Sequence, residues 1–284
     1  MMKHENFAVF ILSHGRAGNM LTVETLRKDK YTGKIYIIID DEDDQEQEYR
    51  ERFGESIIQF CKIKAAEMTD VMSPSKKRNA VVFARNECHK IAEQLGLTHF
   101  LVLDDDYVAF EFRYPKEPKL MTKEAKNLDS VFDEMIDFLD VSGAVTVAMA
   151  QGGDFIGGLE GGNYKKQLLR KSMNSFFCRT DRPFKFLGLT NEDTNTYCLL
   201  GSQGKLFFTV TYISLRQVAT QQNAGGVTDI YLEDGTYIKS FYSVMCMPSA
   251  VKVKPMQSSH TRMHHSVDWN YCVPKIISYK YRKI

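Results

Sequence analysis

The segment Leu101-Val102-Leu103-Asp104-Asp105-Asp106 sets three carboxylates directly after an apolar run. Carboxylates withdrawn from water are costly unless something positive binds them. If the extended conformation continues, Asp104 and Asp106 point the same way, because strand side chains repeat every second residue. Two carboxylates on one side suit a hard divalent cation that also holds phosphate oxygens. An acidic turn, or a set of helix caps, is the competing reading.

Other residues could join that chemistry. Arg78-Asn79 and Ala84-Arg85-Asn86 put Arg78 and Arg85 seven positions apart, on one face of a helix. Arginine forks match phosphate and carboxylate geometry, although a solvated helix face accounts for Arg78 equally well. Ser13-His14-Gly15-Arg16 lies where an apolar run meets a polar loop, and glycine permits close backbone approach to a ligand. The alternative there is an ordinary strand-to-helix turn. Asn191-Glu192-Asp193 offers two acids near a helix start. One could be a general base for an acceptor hydroxyl; both could equally be caps. His260, His264 and His265 gather three of the seven histidines in a polar stretch. One could complete a metal site beside carboxylates, and the plain alternative is a surface loop. Lys275, Lys280, Arg282 and Lys283 form a basic tail that either touches phosphates or is solvated.

Several chemistries are unsupported. The chain contains neither G-x-G-x-x-G nor a P-loop, so no dinucleotide or Walker fingerprint is present. The histidines do not form H-E-x-x-H, which argues against a zinc protease.

The elements that must position these residues are readable from apolar patterning. Phe7–Ser13 and Lys34–Ile39 read as buried strands, and the loop after Ser13 leads into a helix ending near Lys28. Ser56–Phe60 reads as a short strand. Ser73-Pro74 predicts a helix start, with the helix running to Leu95 and stopped by Gly96. His99–Leu103 is a buried strand, and Tyr107–Phe112 is the next. Asn127–Leu139 has helical spacing and Ala144–Met149 is an apolar strand. Gln151–Asn163 contains six glycines and reads as a flexible loop. Further on, Asn174–Arg179 and Leu206–Ile213 are strand-like, Thr190–Leu200 is a helix capped by Thr190 or Asn191, and Thr228–Met245 is ambiguous. Alternating strands and helices imply a parallel sheet whose ligands bind at the carboxyl ends of the strands. Ser13–Asn19, Asp40–Asp44 and Asp104–Asp106 all fall there.

Composition is consistent with this. The 284 residues are 43% hydrophobic and 26% charged, which supports one α/β domain with elaborations and a sizeable core. Thirty-seven basic and 36 acidic side chains leave a net charge of +1, against a dedicated nucleic-acid coat but not against a local basic groove. Six cysteines without C-x-x-C spacing read as free thiols in a reducing compartment. No apolar run reaches the roughly 18 residues of a membrane span, and Phe7–Leu12 is a first strand rather than a signal peptide. A cytoplasmic location is expected.

A strand ending in D-x-D (Asp104-Asp105-Asp106), preceded by an Ala84-Arg85-Asn86 helix, resembles the GT-A nucleotide-sugar glycosyltransferases. Glu192-Asp193 resembles their acidic acceptor-side motif, and a late histidine that joins the metal is also familiar. More narrowly, Ser13-His14-Gly15-Arg16, the Asp104 triad and His264-His265 with Pro274-Lys275 resemble the phage and TET-associated glycosyltransferases, proposed to decorate hydroxymethylated pyrimidines in DNA. The resemblance implies a GT-A-like α/β fold: a mainly parallel central sheet flanked by helices. Residues 1–113 would be the nucleotide-sugar half and 114–284 a less regular acceptor half. It implies that Ser13, His14, Arg16 and Asp40 border the nucleotide, with Arg78, Arg85, Asn86, Asp104 and Asp105 also on the donor. Asp104 and Asp106, with His265, would hold Mn or Mg. Glu192 or Asp193 would face the acceptor. The donor would be a UDP-sugar and the acceptor phage DNA bearing hydroxymethylated bases. A nucleotidyltransferase or metal-dependent phosphoesterase on a similar sheet is the rival enzyme class. A non-catalytic nucleotide- or DNA-binding protein is the rival outside catalysis.

Overall fold

The computed structural model describes residues 2–72, 77–161, 164, 175–218, 238–257 and 261–273. Strand β1 (Phe7–Leu12) is buried along its whole length. Its alternate side chains enter two different apolar layers. Phe7, Val9 and Ile11 face one, and Ala8, Phe10 and Leu12 face the other. Strand β4 (His99–Asp104) repeats the pattern, with Leu101 and Leu103 in the first layer and Phe100 and Val102 in the second. A strand that feeds two cores must be apolar at every position, which is why these runs do not alternate with polar residues.

Helices close both layers. The first is covered by α1 (Leu21–Lys28), α2 (Glu46–Phe53) and α5 (Leu128–Ser142) through Leu26, Tyr49, Leu128, Phe132, Ile136 and Leu139. The second is covered by α3 (Lys62–Glu67) and α4 (Val82–Gln94) through Ala65, Val82, Phe83, Cys88, Ile91 and Ala92. Each leucine, isoleucine, valine or phenylalanine among them contributes about 1.5–3 kcal/mol by leaving water.

The other sheet strands are β2 (Lys34–Asp40), β3 (Ile57–Phe60), β5 (Tyr107–Lys116), β6 (Lys119–Glu124), β7 (Thr146–Gln151), β8 (Phe176–Arg179) and β9 (Phe207–Gln217). Among the described residues they form a nine-stranded sheet in the order β3-β2-β1-β4-β8-β7-β9-β5-β6. The strands β3, β2, β1 and β4 run parallel. Strand β8 is antiparallel to both β4 and β7. β7 and β9 are parallel, and β5 is antiparallel to β9 and β6. The α/β expectation holds, but the sheet is mixed rather than mainly parallel. The physical reason is connection length. A parallel neighbour needs a crossover; β6 follows β5 through a tight turn and so pairs with it antiparallel, and β8 inserts between β4 and β7 in the opposite direction.

The strand directions place the carboxyl ends of β1, β2, β3, β4, β7 and β9 and the start of β5 along one edge. Ser13, Asp40, Lys62, Asp104–Asp106, Gln151 and Gln217 all sit on it.

Three local expectations change. Residues 73–76, including the expected Ser73-Pro74 start, lie outside the described residues; α4 begins at Val82 and residues 77–81 are not helical. Arg78 therefore does not share a helix face with Arg85. Gly96 does end α4, with a positive φ of 66° that glycine adopts without strain. The polar stretch around the histidines is a strand, since β10 (Val251–Gln257) and β11 (Thr261–Val267) form an antiparallel hairpin. The helix expected over Thr190–Leu200 is α6 (Glu192–Ser202). No described helix is long and apolar enough to cross a membrane, and the six cysteines are free.

Candidate functional site

The strand parity that feeds two cores also separates the three aspartates. Asp105 has the parity of Leu101 and Leu103 and turns toward the α1–α2 layer. There its oxygens accept hydrogen bonds from Ser13 Oγ at 2.6 Å and Arg16 Nη1 at 2.7 Å. Burial pushes its carboxyl up, and the Ser13 and Arg16 contacts pull it back. Tyr49 completes the knot, its hydroxyl 2.7 Å from Ser13 Oγ and accepting from Arg16 N at 2.9 Å. Asp105, expected on the donor, has both oxygens committed to the β1–α1 loop.

Asp104 has the opposite parity and faces α4. Its Oδ1 lies 3.4 Å from Arg85 Nη2. Burial pushes its pKa up to about 6, against the pull of Arg85 and with the push of Asp106 and Asp105. Asp106 follows in the turn to β5. Its Oδ2 accepts from Gln217 Nε2 at 3.1 Å, while its Oδ1 is buried without a hydrogen-bond partner. Thr22 of α1 fixes the backbone of this turn. Its hydroxyl donates to Asp104 O at 2.7 Å and accepts from Tyr107 N at 2.9 Å, and its own N donates to Asp105 O.

Arg85 is buried, with 2% of its side chain exposed. Its guanidinium bonds Glu192 on one side and Asp104 on the other. It stacks on Phe176 and Phe186 with ring centroids 5.2 Å and 5.6 Å away. Both terminal nitrogens are thus engaged inside the protein, where a donor phosphate had been expected. Asn86 is also turned inward. Its amide donates to Phe186 O at 3.1 Å and Thr69 Oγ1 at 3.2 Å, and its oxygen accepts from Phe186 N at 2.7 Å. It holds the loop whose Phe186 ring lies on Arg85. Arg78 reaches Glu42 instead, with Nε 2.9 Å from Oε1.

Next to the Ser13 knot lies a second cluster. His14 Nδ1 is 2.9 Å from Asp40 Oδ2, and Lys62 Nζ is 3.1 Å from Asp40 Oδ1. Burial opposes ionisation of Asp40, but His14 and Lys62 outweigh it and leave the carboxyl below its usual range. The hydrogen bond to Asp40 raises His14 in turn. Asp43 accepts from Gly15 N at 2.9 Å, which shapes the loop over this edge.

Glu192 opens α6 and is almost fully buried. Burial raises its pKa, while Arg85 pulls the other way. Asp193 is turned onto its neighbour, accepting from Thr194 N at 2.7 Å. Asn191 precedes them with φ 54° and makes no side-chain cap. Its amide Nδ2 instead lies 3.3 Å from His265 Nδ1. So His265 reaches the acceptor-side motif. His264 sits beside it, the two ring centroids 4.1 Å apart. His260 and the basic tail from Lys275 to Lys283 lie outside the described residues.

The profile of the TET-Associated Glycosyltransferase family matches residues 7–226. The chain belongs to that family. The match spans every residue of the sheet edge, from Ser13 to Gln217. No curated protein matches the chain. Among solved structures, mannosyltransferase PcManGT from Pyrobaculum calidifontis, in complex with GDP-Man and Mn2+, is 11% identical with a TM-score of 0.48. That similarity covers 78% of this chain and 61% of the mannosyltransferase. A mycobacterial protein is 10% identical with a TM-score of 0.42, covering 92% and 83% of the two chains. At these scores neither similarity carries the assignment, which rests on the family profile.

Within this TET-associated glycosyltransferase, the residues fit a divalent cation that shares its ligands with a substrate. Among the described residues no three histidine, cysteine, aspartate or glutamate side chains are placed to hold an ion alone. One or two carboxylates plus phosphate oxygens is the usual arrangement for Mg at nucleotide sites. The partnerless Asp106 Oδ1 and the half-compensated Asp104 retain the capacity such an arrangement needs. Sequence reasoning placed Asp43 only within the Asp40–Asp44 cluster and missed Tyr49, Thr22, Lys62 and Gln217. Each acts through a tertiary contact, and of the missed residues only Lys62 carried a charge that could have drawn notice.

Proposed function

We propose that the chain transfers a sugar from a nucleotide sugar to an acceptor hydroxyl at the edge formed by Asp104, Asp106 and Glu192. The observation that carries this reading is the buried, partnerless Oδ1 of Asp106 beside an Asp104 whose pKa is pushed up to about 6. Such carboxylates are only partly compensated within the protein, Asp104 by Arg85 and Asp106 by Gln217, and suit a cation delivered with a ligand. Asp104 and Asp106 would hold Mn or Mg together with donor phosphate oxygens. When bound, the ion supplies Lewis-acid neutralisation of the diphosphate leaving group. The loop carrying Ser13, His14 and Arg16, pinned by Asp105, Tyr49 and Asp43, borders the nucleotide with Asp40. Glu192 takes the proton of the attacking hydroxyl, its carboxyl raised by burial against the pull of Arg85. His265, held against Asn191, stands on the acceptor side and is available to the metal only if a bound donor draws the two sides together.

The family's association with TET supports hydroxymethylated pyrimidine in DNA, phage DNA included, as the acceptor. A UDP-sugar is the proposed donor. The test is mass spectrometry of hydroxymethylcytosine DNA incubated with a panel of UDP- and GDP-sugars and Mn or Mg. The expected product is DNA heavier by one sugar, with release of a nucleoside diphosphate, absent with chelator and absent in Asp106→Ala. Release of pyrophosphate or inorganic phosphate instead would move the chain to the nucleotidyltransferases or phosphoesterases. Full activity in Asp106→Ala would remove the metal assignment.

A further inference from the structure

The family match ends at residue 226, yet the described chain beyond it packs directly behind the candidate base. Helical residues 238–246, the β10–β11 hairpin and the turn Trp269–Tyr271 form this C-terminal module. Cys198 of α6 is buried with Ala250, Val251 and Cys272. Tyr197 of α6 packs on Trp269, with ring centroids 5.2 Å apart. A Cβ on Gly201 would stand 2.0 Å from Cys272 O, so α6 and the module touch backbone to backbone.

Three residues from two parts of the module, its helix and its hairpin, converge on one side chain. Asn191 Nδ2 donates to Lys239 O at 3.0 Å and Ser243 Oγ at 3.1 Å, and lies 3.3 Å from His265 Nδ1. Asn191 is 7% exposed and immediately precedes Glu192, which Arg85 grips from the opposite side. Its left-handed backbone is an uncommon conformation for a residue other than glycine, and asparagine tolerates it best. An N-cap asparagine ordinarily turns its side chain onto the helix it starts. Here the amide is spent on the module instead.

We infer that the C-terminal module is a brace for the acceptor-side carboxylate, with Asn191 as the positioning residue that transmits it. This rests on the reading of Glu192 as the base. The module fixes where α6 begins, and α6 fixes where the Glu192 carboxylate stands relative to Asp104. Small displacements of a reacting group cost large factors in rate while leaving binding intact.

Asn191→Gly keeps the left-handed backbone available and removes the amide; Ser243→Ala removes one partner from the module side. Hydrogen exchange of the full chain reads the brace. Backbone amides 195–198 are the reporters, since Asn195 N donates to Asn191 O at 2.8 Å. In Asn191→Gly these amides and those of residues 261–267 are expected to exchange about threefold faster together, with the remaining sheet unchanged. Sugar transfer to hydroxymethylcytosine DNA is expected to lose roughly tenfold in kcat with donor KM held within about twofold. Ser243→Ala should shift both readouts the same way and less. Unchanged exchange at 195–198 in both variants overturns the brace whatever the activity. Faster exchange with unaltered kcat overturns the positioning role. Full activity in Glu192→Gln would instead remove the base assignment, and exchange would still decide the brace.

Discussion

Arg85 and Glu192, 107 positions apart in sequence, form an ion pair almost wholly withdrawn from solvent. The same guanidinium reaches Asp104, so one cation serves both the carboxylate proposed for the donor and the one proposed for the acceptor. Breaking a buried pair from one side leaves an uncompensated charge, which costs about 3–5 kcal/mol. Arg85→Met is therefore expected to lower unfolding free energy by about that amount, read by urea titration. Adding Glu192→Gln should recover part of the loss. Strict additivity in the double-mutant cycle would show that the pair contributes nothing as a pair.

Asp106 should behave in the opposite sense. Its Oδ1 has no partner and its charge adds to that of Asp104. Asp106→Asn is expected to leave stability unchanged or raise it by about 1 kcal/mol, while transfer falls at least about a hundredfold. A clear drop in the urea midpoint would mean that the carboxylate is structural.

Tyr49→Phe removes the hydroxyl shared by Ser13 and Arg16. The loop at the end of β1 should loosen, with donor KM rising several-fold and kcat nearly kept. The stability cost should be about 1–2 kcal/mol, as for a lost buried hydrogen bond. Steady-state kinetics at varied UDP-sugar checks this, and an unchanged KM would detach the loop from donor binding.

His89 predicts an acid dependence of stability. Its ring sits edge-on to Phe100 and Phe184, both nitrogens are buried without partners, and burial pushes its pKa down to about 4. The unfolded chain takes up this proton near the ordinary histidine value of about 6.5. Between those values the unfolded state binds more protons, so stability falls as pH drops from about 6.5 to 4. The total is on the order of 3 kcal/mol. Asp104 acts with the opposite sign, since a carboxyl raised to about 6 favours the native state as it protonates. The comparison to make is wild type against His89→Leu, whose curve should lose this part of the acid slope. Parallel curves would place the His89 ring in contact with water.

The legible part of the fold was the part built from continuous apolar runs. Strands β1, β2 and β4 could be read because each feeds two cores and tolerates no polar residue. The sheet's mixed order was less visible, since pairing of β8 with β4 depends on contacts such as Val102 with Phe176, far apart in sequence, rather than on local pattern. The hairpin carrying His265 was not read as strands, since its histidine stretch is polar, although Val251-Lys252-Val253-Lys254 alternates as an edge strand should. At the site, the acidic triad and Glu192 stood out by charge. What could not be read was the use made of them. Arg85 and Asn86 were expected at a ligand and are spent inside the protein, and Tyr49 and Thr22 carry no charge that would mark them.

The opposed facing of Asp104 and Asp105 has a genetic consequence. A run of three identical letters hides its own phase. Inserting one residue within Phe100–Leu103 would leave D-D-D spelled unchanged for any motif search. Yet every side chain beyond the insertion would exchange layers. Leu103 would arrive before Arg85, and Arg85's partner would be delivered to the β1 loop. A homologue carrying such an indel would keep the spelling and lose the wiring.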